Sequence, residues 1–227
     1  MTARFGPTSR MEDAPVVLAG FFRSGTSHRL RIALNLKSIA YDYEAVSLPK
    51  REHKSEAFLA VNPQGLVPVL KVRGKPLLQS PAILEWLEET FPAPPLLPRA
   101  ADDRARVRAI AATVGCDIHP INNLRVLNHL KSAFGADEAA VGAWCRYWIG
   151  SGFAALEVVL ARDTTRDGFC FGSTPTLADC YLIPQIFSAL RFKLDLAPFP
   201  QIRQIEETCV ALQPFIDAAP DRQPDAV

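Results

Sequence analysis

The amino-terminal part of the chain alternates short apolar runs with segments whose apolar residues recur at helical spacing. The runs at 16–22 and 41–47 predict strands, and residues 28–37 between them predict a helix. A strand, a helix and a strand in so short a stretch predict a βαβ unit, in which the two strands are parallel. Residues 51–61 predict a second helix, because their apolar positions again fall on one face.

Two apolar runs that contain proline follow. Residues 68–72 and 76–79 flank the turn-forming Arg73-Gly74-Lys75, which predicts a β-hairpin. Pro68 lacks an N–H group and therefore belongs at the start or the edge of a sheet. The Val67–Pro68 bond can also be cis at modest cost, which would leave the backbone N–H and C=O of Val67 free to pair with an extended ligand.

Residues 79–81, directly after the hairpin, predict the start of a helix that can bind an anion. Ser80 is predicted as the N-cap and Pro81 as the first residue of a helix that runs to Phe91. A helix N-terminus with a hydroxyl and free N–H groups suits a carboxylate. This corner and the loop at Val67 therefore predict a site for a small acidic peptide, although a well-formed turn and an ordinary cap explain the same residues equally well.

The order β-α-β-α-β-β-α is a thioredoxin-like layout, and everything after the proline-rich linker at 92–98 reads as helix. The predicted fold class is an α/β thioredoxin-like N-terminal domain, residues 15–91, followed by an all-α helical C-terminal domain, residues 99–220. The polar tail from Asp217 onward is predicted to be loose. The helices predicted in the second domain span residues 102–119, 137–162, 176–191 and 200–212.

The segment Thr176-Leu177-Ala178-Asp179 has the spacing of a helix capping box. The Thr176 hydroxyl accepts from the first turn, and Asp179 reaches back to the backbone N–H of Thr176. The helix that follows is apolar on nearly all sides, which is typical of a central, buried helix. Replacing Asp179 with alanine is expected to cost about 1–2 kcal/mol of stability.

The composition, net charge and cysteine pattern exclude several classes of protein. The chain has 227 residues, of which 48% are hydrophobic and 22% charged, with a net charge of +1, so we expect neither nucleic acid nor a membrane as partner. Its five cysteines are odd in number and widely spaced, which predicts buried thiols in a reducing cytoplasm and no metal site. The first fourteen residues lack the apolar core of a secretory signal and are predicted to be a disordered lead-in.

These features together resemble the glutathione transferase family, over nearly the whole chain. The resemblance narrows to the zeta class, which includes maleylacetoacetate and maleylpyruvate isomerases, at residues 22–34, 118–127, 190–196 and 222–225. The chain departs from the zeta pattern where Ser24-Gly25-Thr26 replaces the usual Ser-Ser-Cys, and where Pro81 replaces a larger aliphatic residue. His119 also stands where zeta enzymes often have glutamine, which is closer to the maleylpyruvate isomerase branch.

The resemblance implies glutathione as cofactor, with the Ser24 hydroxyl directed at its sulfur. A hydroxyl at a helix N-terminus favours thiolate over thiol, although Ser24 as a plain helix cap is the alternative. The implied glutathione-binding residues are Val67 through its backbone, Gln79 and Ser80 at the γ-glutamyl end, and His53 or Lys54 with Gln64 at the glycine end. His53 is equally plausible as a solvated surface residue.

The resemblance also implies a small anionic substrate. Arg23 and Arg191 are the candidates for its carboxylates and, with Ser24, the predicted catalytic residues, because guanidinium binds carboxylate bidentately. For Arg191 the alternatives are an internal salt bridge or a contact with the helix dipole. The residues assigned to the substrate side are Thr26, His119, Asn123 and Arg125, with purely structural roles as the alternative for His119 and Arg125.

The function implied is glutathione-dependent cis–trans isomerisation of a maleyl keto acid, either maleylacetoacetate or maleylpyruvate, in the degradation of aromatic compounds. The alternatives are a glutathione transferase or dehalogenase acting on small electrophilic acids, and a glutathione-binding interaction module without catalysis. The family resemblance alone also implies a homodimer.

Overall fold

The computed structural model describes residues 15–226, so the predicted lead-in before Pro15 lies outside the described residues. The first element is the strand β1, Val16–Gly20, followed by helix α1, Gly25–Leu36, and strand β2, Asp42–Ala45. β1 and β2 pair in parallel, with Leu18 opposite Tyr43, as the predicted βαβ unit requires.

The predicted hairpin completes a four-stranded sheet. Strands β3, Val69–Val72, and β4, Lys75–Leu78, are antiparallel, and β3 also pairs antiparallel with β1. The order across the sheet is β2-β1-β3-β4, which puts β1 and β3 at its centre. Leu18 and Leu70, which face each other across these two strands, are completely buried.

Helix boundaries in this half differ from the predicted ones in two places. The predicted helix at 51–61 is a 3₁₀ turn, Glu52–Lys54, followed by the short helix α2, Glu56–Val61, because Ser55 takes extended backbone and caps α2 through the N–H of Phe58. Ser80 is not the N-cap of helix α3, Ser80–Thr90. Gln79 is, with the left-handed φ of 68°, so Ser80 is the first helical residue.

The remaining helices pack into one bundle. The predicted helix at 102–119 is α-helical only to Ala112 and continues as a π-helical segment, Thr113–Ile118. The helices Leu124–Phe134 (α5) and Gln213–Ala218 (α9) were not predicted. The helices after the linker are α4 (Ala101–Ala112), α5 (Leu124–Phe134), α6 (Glu138–Arg162), α7 (Leu177–Arg191), α8 (Pro200–Val210) and α9 (Gln213–Ala218).

Helix α7 is the centre of this bundle, as its apolar composition predicted. Its first ten residues, Leu177–Ile186, are all buried, and it packs against α1 from the thioredoxin-like part and against α4. α1 also contacts α3 and α9, so one hydrophobic core runs through both parts of the molecule. The domain boundaries at 15–91 and 99–220 stay predictions.

The prediction of a loose tail after Asp217 is wrong. Ala218, Pro220 and Gln223 are buried, and the Gln223 amide donates to the backbone carbonyls of Asp217 and Ala219 at 2.9 and 2.8 Å. These contacts hold the tail against the rest of the molecule, although Asp217, Asp221 and Arg222 are exposed. Four of the cysteines are buried as expected, while Cys116 is exposed. None of the described helices is both long and apolar enough to cross a membrane.

The capping box at the start of α7 is present, and its carboxylate also binds a residue outside the helix. The fully buried Asp179 carboxylate accepts from the N–H and the hydroxyl of Thr176, at 2.7 and 2.9 Å, and from the N–H of Cys170 at 2.8 Å. Burial raises the pKa of this carboxyl, and the hydrogen bonds from Cys170 and Thr176 act against that rise.

Asp179→Ala is expected to lower the free energy of unfolding by about 2 kcal/mol, because it leaves buried N–H groups without an acceptor. Asp137→Ala is the matched control, since Asp137 caps α6 at the surface through one bond of 2.8 Å to Ala140 and should cost about 1 kcal/mol. Urea unfolding measures both. Equal losses for the two variants would contradict a special role for the buried carboxylate.

Candidate functional site

Ser24 lies in the turn between β1 and α1 and caps the helix. Its backbone N–H donates to the carbonyl of Phe21 at 3.0 Å, and its Oγ accepts the N–H of Ser27 at 3.2 Å. The capping bond uses a lone pair of the hydroxyl and leaves its proton available. Ser24 is therefore the helix cap of the alternative interpretation, and its hydroxyl still has a proton to give at the positive end of α1.

Thr26 links this turn to the loop before β3. Its Oγ1 lies 2.9 Å from the Ser24 Oγ and donates to the backbone carbonyl of Val67 at 3.0 Å. The Val67–Pro68 bond is cis. The expectation that the Val67 carbonyl is free is wrong in this structure, because the Thr26 hydroxyl occupies it. Since the single Thr26 proton goes to that carbonyl, Ser24 is the donor in the bond between the two hydroxyls.

Arg29, a buried residue of α1, binds the start of α3. The Gln79 amide donates to the side-chain oxygen of Gln64, and the buried Ser80 hydroxyl accepts from Arg29 Nη1 at 3.1 Å. The Arg29 guanidinium carbon lies 3.5 Å from the centre of the Tyr181 ring, and burial lowers the pKa of Arg29 to about 10. Sequence reasoning missed Arg29, because its polar side chain gives no periodic signal of burial.

His53 and Lys54 lie beside the Gln64-Gly65 turn. Lys54 Nζ donates to the Gln64 carbonyl at 3.3 Å, and a Cβ on Gly65, whose φ is +57°, would lie 2.8 Å from the backbone oxygen of His53. His53 is half-buried rather than a solvated surface residue, and partial burial, with the charges of Lys54 and Arg51, lowers its pKa. Only glycine fits this close approach, so the turn fixes both basic side chains relative to Gln64.

His119 follows the π-helical segment and faces the start of α1. A Cβ on Gly25 would lie 3.5 Å from His119 Cε1, and the buried Nε2 has no hydrogen-bond partner among residues 15–226. Burial, with the charges of Arg29 and Arg125, lowers the pKa of His119 to about 3. The imidazole is therefore neutral near pH 7 and offers one unpaired polar atom to a ligand.

Asn123 has a structural role besides its position in the site. It is the N-cap of α5, and its side-chain oxygen accepts the N–H of Arg125 at 3.2 Å. The Arg125 side chain is exposed and forms no ion pair within the described part of the chain. The cap therefore fixes the backbone from which Arg125 extends.

Two adjoining cavities bring together every site residue that the sequence predicted. The larger, of about 730 Å³, lies between the β1–α1 turn and the ends of α5 and α7, and the smaller, of about 150 Å³, lies at the Gln79-Ser80 corner. The larger is lined by Arg23, Ser24, His53, Lys54 and Arg191, the smaller by Arg29, Gln79 and Ser80, and both by Thr26, Gln64, Val67, His119, Asn123 and Arg125.

The larger cavity has an excess of positive charge. The Arg23 guanidinium lies over the rings of Phe21 and Phe22, and that of Arg191 lies 4.6 Å from the centre of the Phe192 ring. Within the described chain neither arginine forms an ion pair, so the internal salt bridge considered for Arg191 is absent. Partial burial and the like charge of Arg23 lower the pKa of Arg191. An anion placed between the two guanidinium groups would relieve this repulsion.

No three His, Cys, Asp or Glu side chains in the described range are grouped closely enough to hold a metal ion. The described site is lined by hydroxyls, guanidinium groups, amides, the Lys54 ammonium group and the imidazoles of His53 and His119. This set of donors suits a ligand that carries several carboxylates and a group that becomes negatively charged near Ser24.

Comparisons with known proteins identify the family to which the chain belongs. The family model described as "Glutathione S-transferase, N-terminal domain" matches residues 23–90. The maleylpyruvate isomerase of a Ralstonia species is 60% identical over 209 residues, which cover 92% of this chain and 99% of that protein.

Two solved structures extend the likeness to the whole fold. The holo structure of maleyl pyruvate isomerase, described as a bacterial zeta-class glutathione S-transferase, has a TM-score of 0.92 and 59% identity, covering 93% of this chain and 100% of that one. The maleylacetoacetate isomerase of Methylobacterium extorquens AM1, with bound malonate and GSH, has a TM-score of 0.89 and 38% identity, covering 93% and 99%.

Proposed function

Since the chain belongs to the glutathione S-transferase family, in its zeta class, we propose that it is a glutathione-dependent cis–trans isomerase of a maleyl keto acid. Maleylpyruvate is the favoured substrate, because identity to the Ralstonia maleylpyruvate isomerase is 60%, against 46% to the maleylacetoacetate isomerase of Pseudomonas aeruginosa. The observation that carries the proposal is the pair of guanidinium groups, Arg23 and Arg191, which lack ion-pair partners in the described chain and line the same cavity as Ser24.

The residues at the smaller cavity fit glutathione. Its γ-glutamyl carboxylate would meet the start of α3 at Gln79 and Ser80, above the buried Arg29, where a helix N-terminus and a cation both favour an anion. The peptide backbone of the ligand would pair with Val67, in competition with the Thr26 hydroxyl. Its glycine carboxylate would lie toward His53, Lys54 and Gln64.

Glutathione, when bound, supplies a thiolate that adds reversibly to the cis double bond and so allows that bond to rotate. With glutathione bound, the Ser24 hydroxyl turns its proton from the Thr26 Oγ1 to the sulfur. This hydrogen bond and the N-terminus of α1 favour the thiolate. Arg23 and Arg191 hold the carboxylates of the substrate and fix the double bond near Ser24. His119, neutral near pH 7, contributes a hydrogen bond at its unpaired Nε2.

The proposed function is tested by mixing the protein with glutathione and either maleylpyruvate or maleylacetone. Loss of the absorbance of the cis compound, with the concentration of glutathione unchanged, is the expected result. Consumption of glutathione would instead indicate a transferase. Binding of glutathione without turnover of either compound would overturn the isomerase in favour of an interaction module.

Arg191→Ala is expected to lower kcat/KM for the maleyl substrate roughly 10- to 100-fold, because charged hydrogen bonds contribute about 1.5–3 kcal/mol. Arg162→Ala is the matched control, since Arg162 is the last residue of α6 as Arg191 is of α7, but lines neither cavity. The assay is the isomerase rate at several substrate concentrations. Equal effects of both substitutions would point to helix C-terminal electrostatics instead of substrate binding.

We also propose a cytoplasmic homodimer. Family membership supports the dimer, and the four buried free cysteines are consistent with a reducing compartment. Light scattering of the purified protein tests the assembly: a particle of twice the 24.9 kDa chain mass is expected, and a particle of one chain would refute the dimer.

A further inference from the structure

The C-terminal segment returns to the thioredoxin-like part and ends beneath the turn that holds Ser24. After the 3₁₀ turn Pro220–Arg222, the chain is held by the buried Gln223 and reaches strands β1 and β2. There one carboxylate oxygen of Asp225 accepts from the backbone N–H of Phe22 at 3.0 Å and from the Tyr43 hydroxyl at 3.4 Å. Asp225 is 203 residues away from Phe22 in sequence.

The other polar group of Phe22 is held as well. Its carbonyl accepts from Nη2 of Arg31 at 3.0 Å, and the Nε of the same arginine donates to the Ala218 carbonyl in α9 at 2.9 Å. Arg31 is completely buried. Both hydrogen-bonding groups of Phe22 are therefore bound by side chains, one of which belongs to the C-terminal segment and the other of which is anchored to it through Ala218.

Asp225 also lies close enough to Arg31 to affect its pKa. Nη1 of Arg31 and the second carboxylate oxygen of Asp225 are both buried without a hydrogen-bond partner in the described chain. Burial lowers the pKa of Arg31, while the neighbouring tyrosines and Asp225 act in the opposite direction. Between them the two side chains hold Phe22, Arg31 at its carbonyl and Asp225 at its N–H.

Phe22 immediately precedes the two residues with roles in the proposed reaction, Arg23 and Ser24. The strength of the hydrogen bond from Ser24 depends steeply on distance and angle, so a small displacement of this turn weakens its effect on a thiolate. Asp225 itself lines neither cavity. Of its contacts, the hydrogen bond from the Phe22 N–H is the one directly adjoining Arg23 and Ser24 in the chain.

We propose, resting on the proposed function, that Asp225 is a positioning residue that fixes the turn bearing Arg23 and Ser24 through the peptide of Phe22. The C-terminal segment is then part of what activates the thiol, although it touches neither glutathione nor substrate. A purely structural role, in which Asp225 only ties down the end of the chain, would affect stability and leave the bound thiol unchanged.

The experiment compares Asp225→Ala and Asp225→Asn with Asp221→Ala, an exposed carboxylate of the same C-terminal turn, as control. The ultraviolet absorbance of the thiolate, followed against pH, gives the pKa of bound glutathione in each variant. For Asp225→Ala we expect this thiol pKa to rise by about one unit and kcat to fall about tenfold, with little change in KM. Asp225→Asn keeps an acceptor for the Phe22 N–H and should retain most of both properties.

A shift in melting temperature of Asp225→Ala with unchanged thiol pKa and kcat would overturn the proposal. If that variant does not fold, Asp225→Asn is compared with Asp225→Glu, which keeps the charge but moves the acceptor. Positioning predicts the higher thiol pKa for Asp225→Glu, and the reverse order would overturn it. Absence of isomerase activity in the unmodified protein would refute the proposed function alone, because the thiol pKa still tests Asp225.

Discussion

Replacing Ser24 with alanine is expected to lower the isomerase rate about a hundredfold at pH 7, because it removes one preorganised hydrogen-bond donor to a developing negative charge. The same loss should appear as a rise of about two units in the pKa of the bound thiol. The defect should shrink as the pH approaches the ordinary pKa of a free thiol, about 8.5, where thiolate forms without help. Rates and thiolate absorbance measured over this pH range check both effects.

The control is Ser55→Ala, which removes a helix cap of the same geometry. Ser55 Oγ accepts the N–H of Phe58 at 3.2 Å, as Ser24 Oγ accepts that of Ser27 at 3.2 Å, but Ser55 lines neither cavity. Each variant should lose about 1 kcal/mol of stability. Only Ser24→Ala should change the thiol pKa. If both variants keep full activity, Ser24 is a cap and nothing more.

Replacing Glu88 with alanine is expected to lower the free energy of unfolding by about 4 kcal/mol, because it leaves a buried charge without its partner. Glu88 in α3 pairs with Lys37 at 2.8 Å, and the side chains are 7% and 0% exposed. Its two oxygens also accept the N–H groups of Leu96 and Leu97, while Lys37 donates to the carbonyls of Phe91 and Pro94. The variant would also remove the two hydrogen bonds that hold Leu96 and Leu97, in the linker at 92–98.

The exposed pair of Lys71 and Glu44 is the matched control. Its 2.6 Å separation is as short, but its side chains are 31% and 50% exposed. Glu44→Ala should therefore cost less than about 1 kcal/mol. Urea unfolding of both variants gives the comparison, and the slope of the transition shows whether Glu88→Ala still unfolds cooperatively. Losses of similar size would mean that the buried pair contributes no more than a surface one.

The alternation of strand and helix patterns predicted the βαβ unit, the hairpin and the long helices, because periodicity reports which face of a segment is buried. It failed where the boundary depends on one backbone angle, as at Gln79, whose left-handed φ moves the start of α3 to Ser80. It failed again at the C-terminal tail. Gln223 is buried and Asp225 binds the N–H of Phe22, which is 203 residues away, and no local pattern carries that information.

The site was predicted through motif resemblance, and the structure gathers the predicted residues around two cavities. The motifs did not predict the buried residues that hold the site residues in place. Arg29 and Arg31 interrupt the apolar face of α1, yet both are buried. One contacts Ser80 and the other Phe22 and Ala218, residues that are distant in sequence. Likewise, the competition between Thr26 and a ligand for the Val67 carbonyl arises only where two loops meet.

The sequence by itself determined the βαβ unit, the hairpin, the capping box at Thr176 and Asp179, and a set of candidate residues that the structure gathers around two cavities. These depend on side-chain periodicity and on short-range hydrogen bonds between near neighbours in the chain. Only the tertiary structure decided which charges are buried together, as for Lys37 with Glu88 and Arg31 with Asp225, and which turn the last residues support. The free energy of such contacts depends on how deeply the groups are buried and on how close they lie. For segments far apart in sequence, the folded structure sets both the burial and the distance.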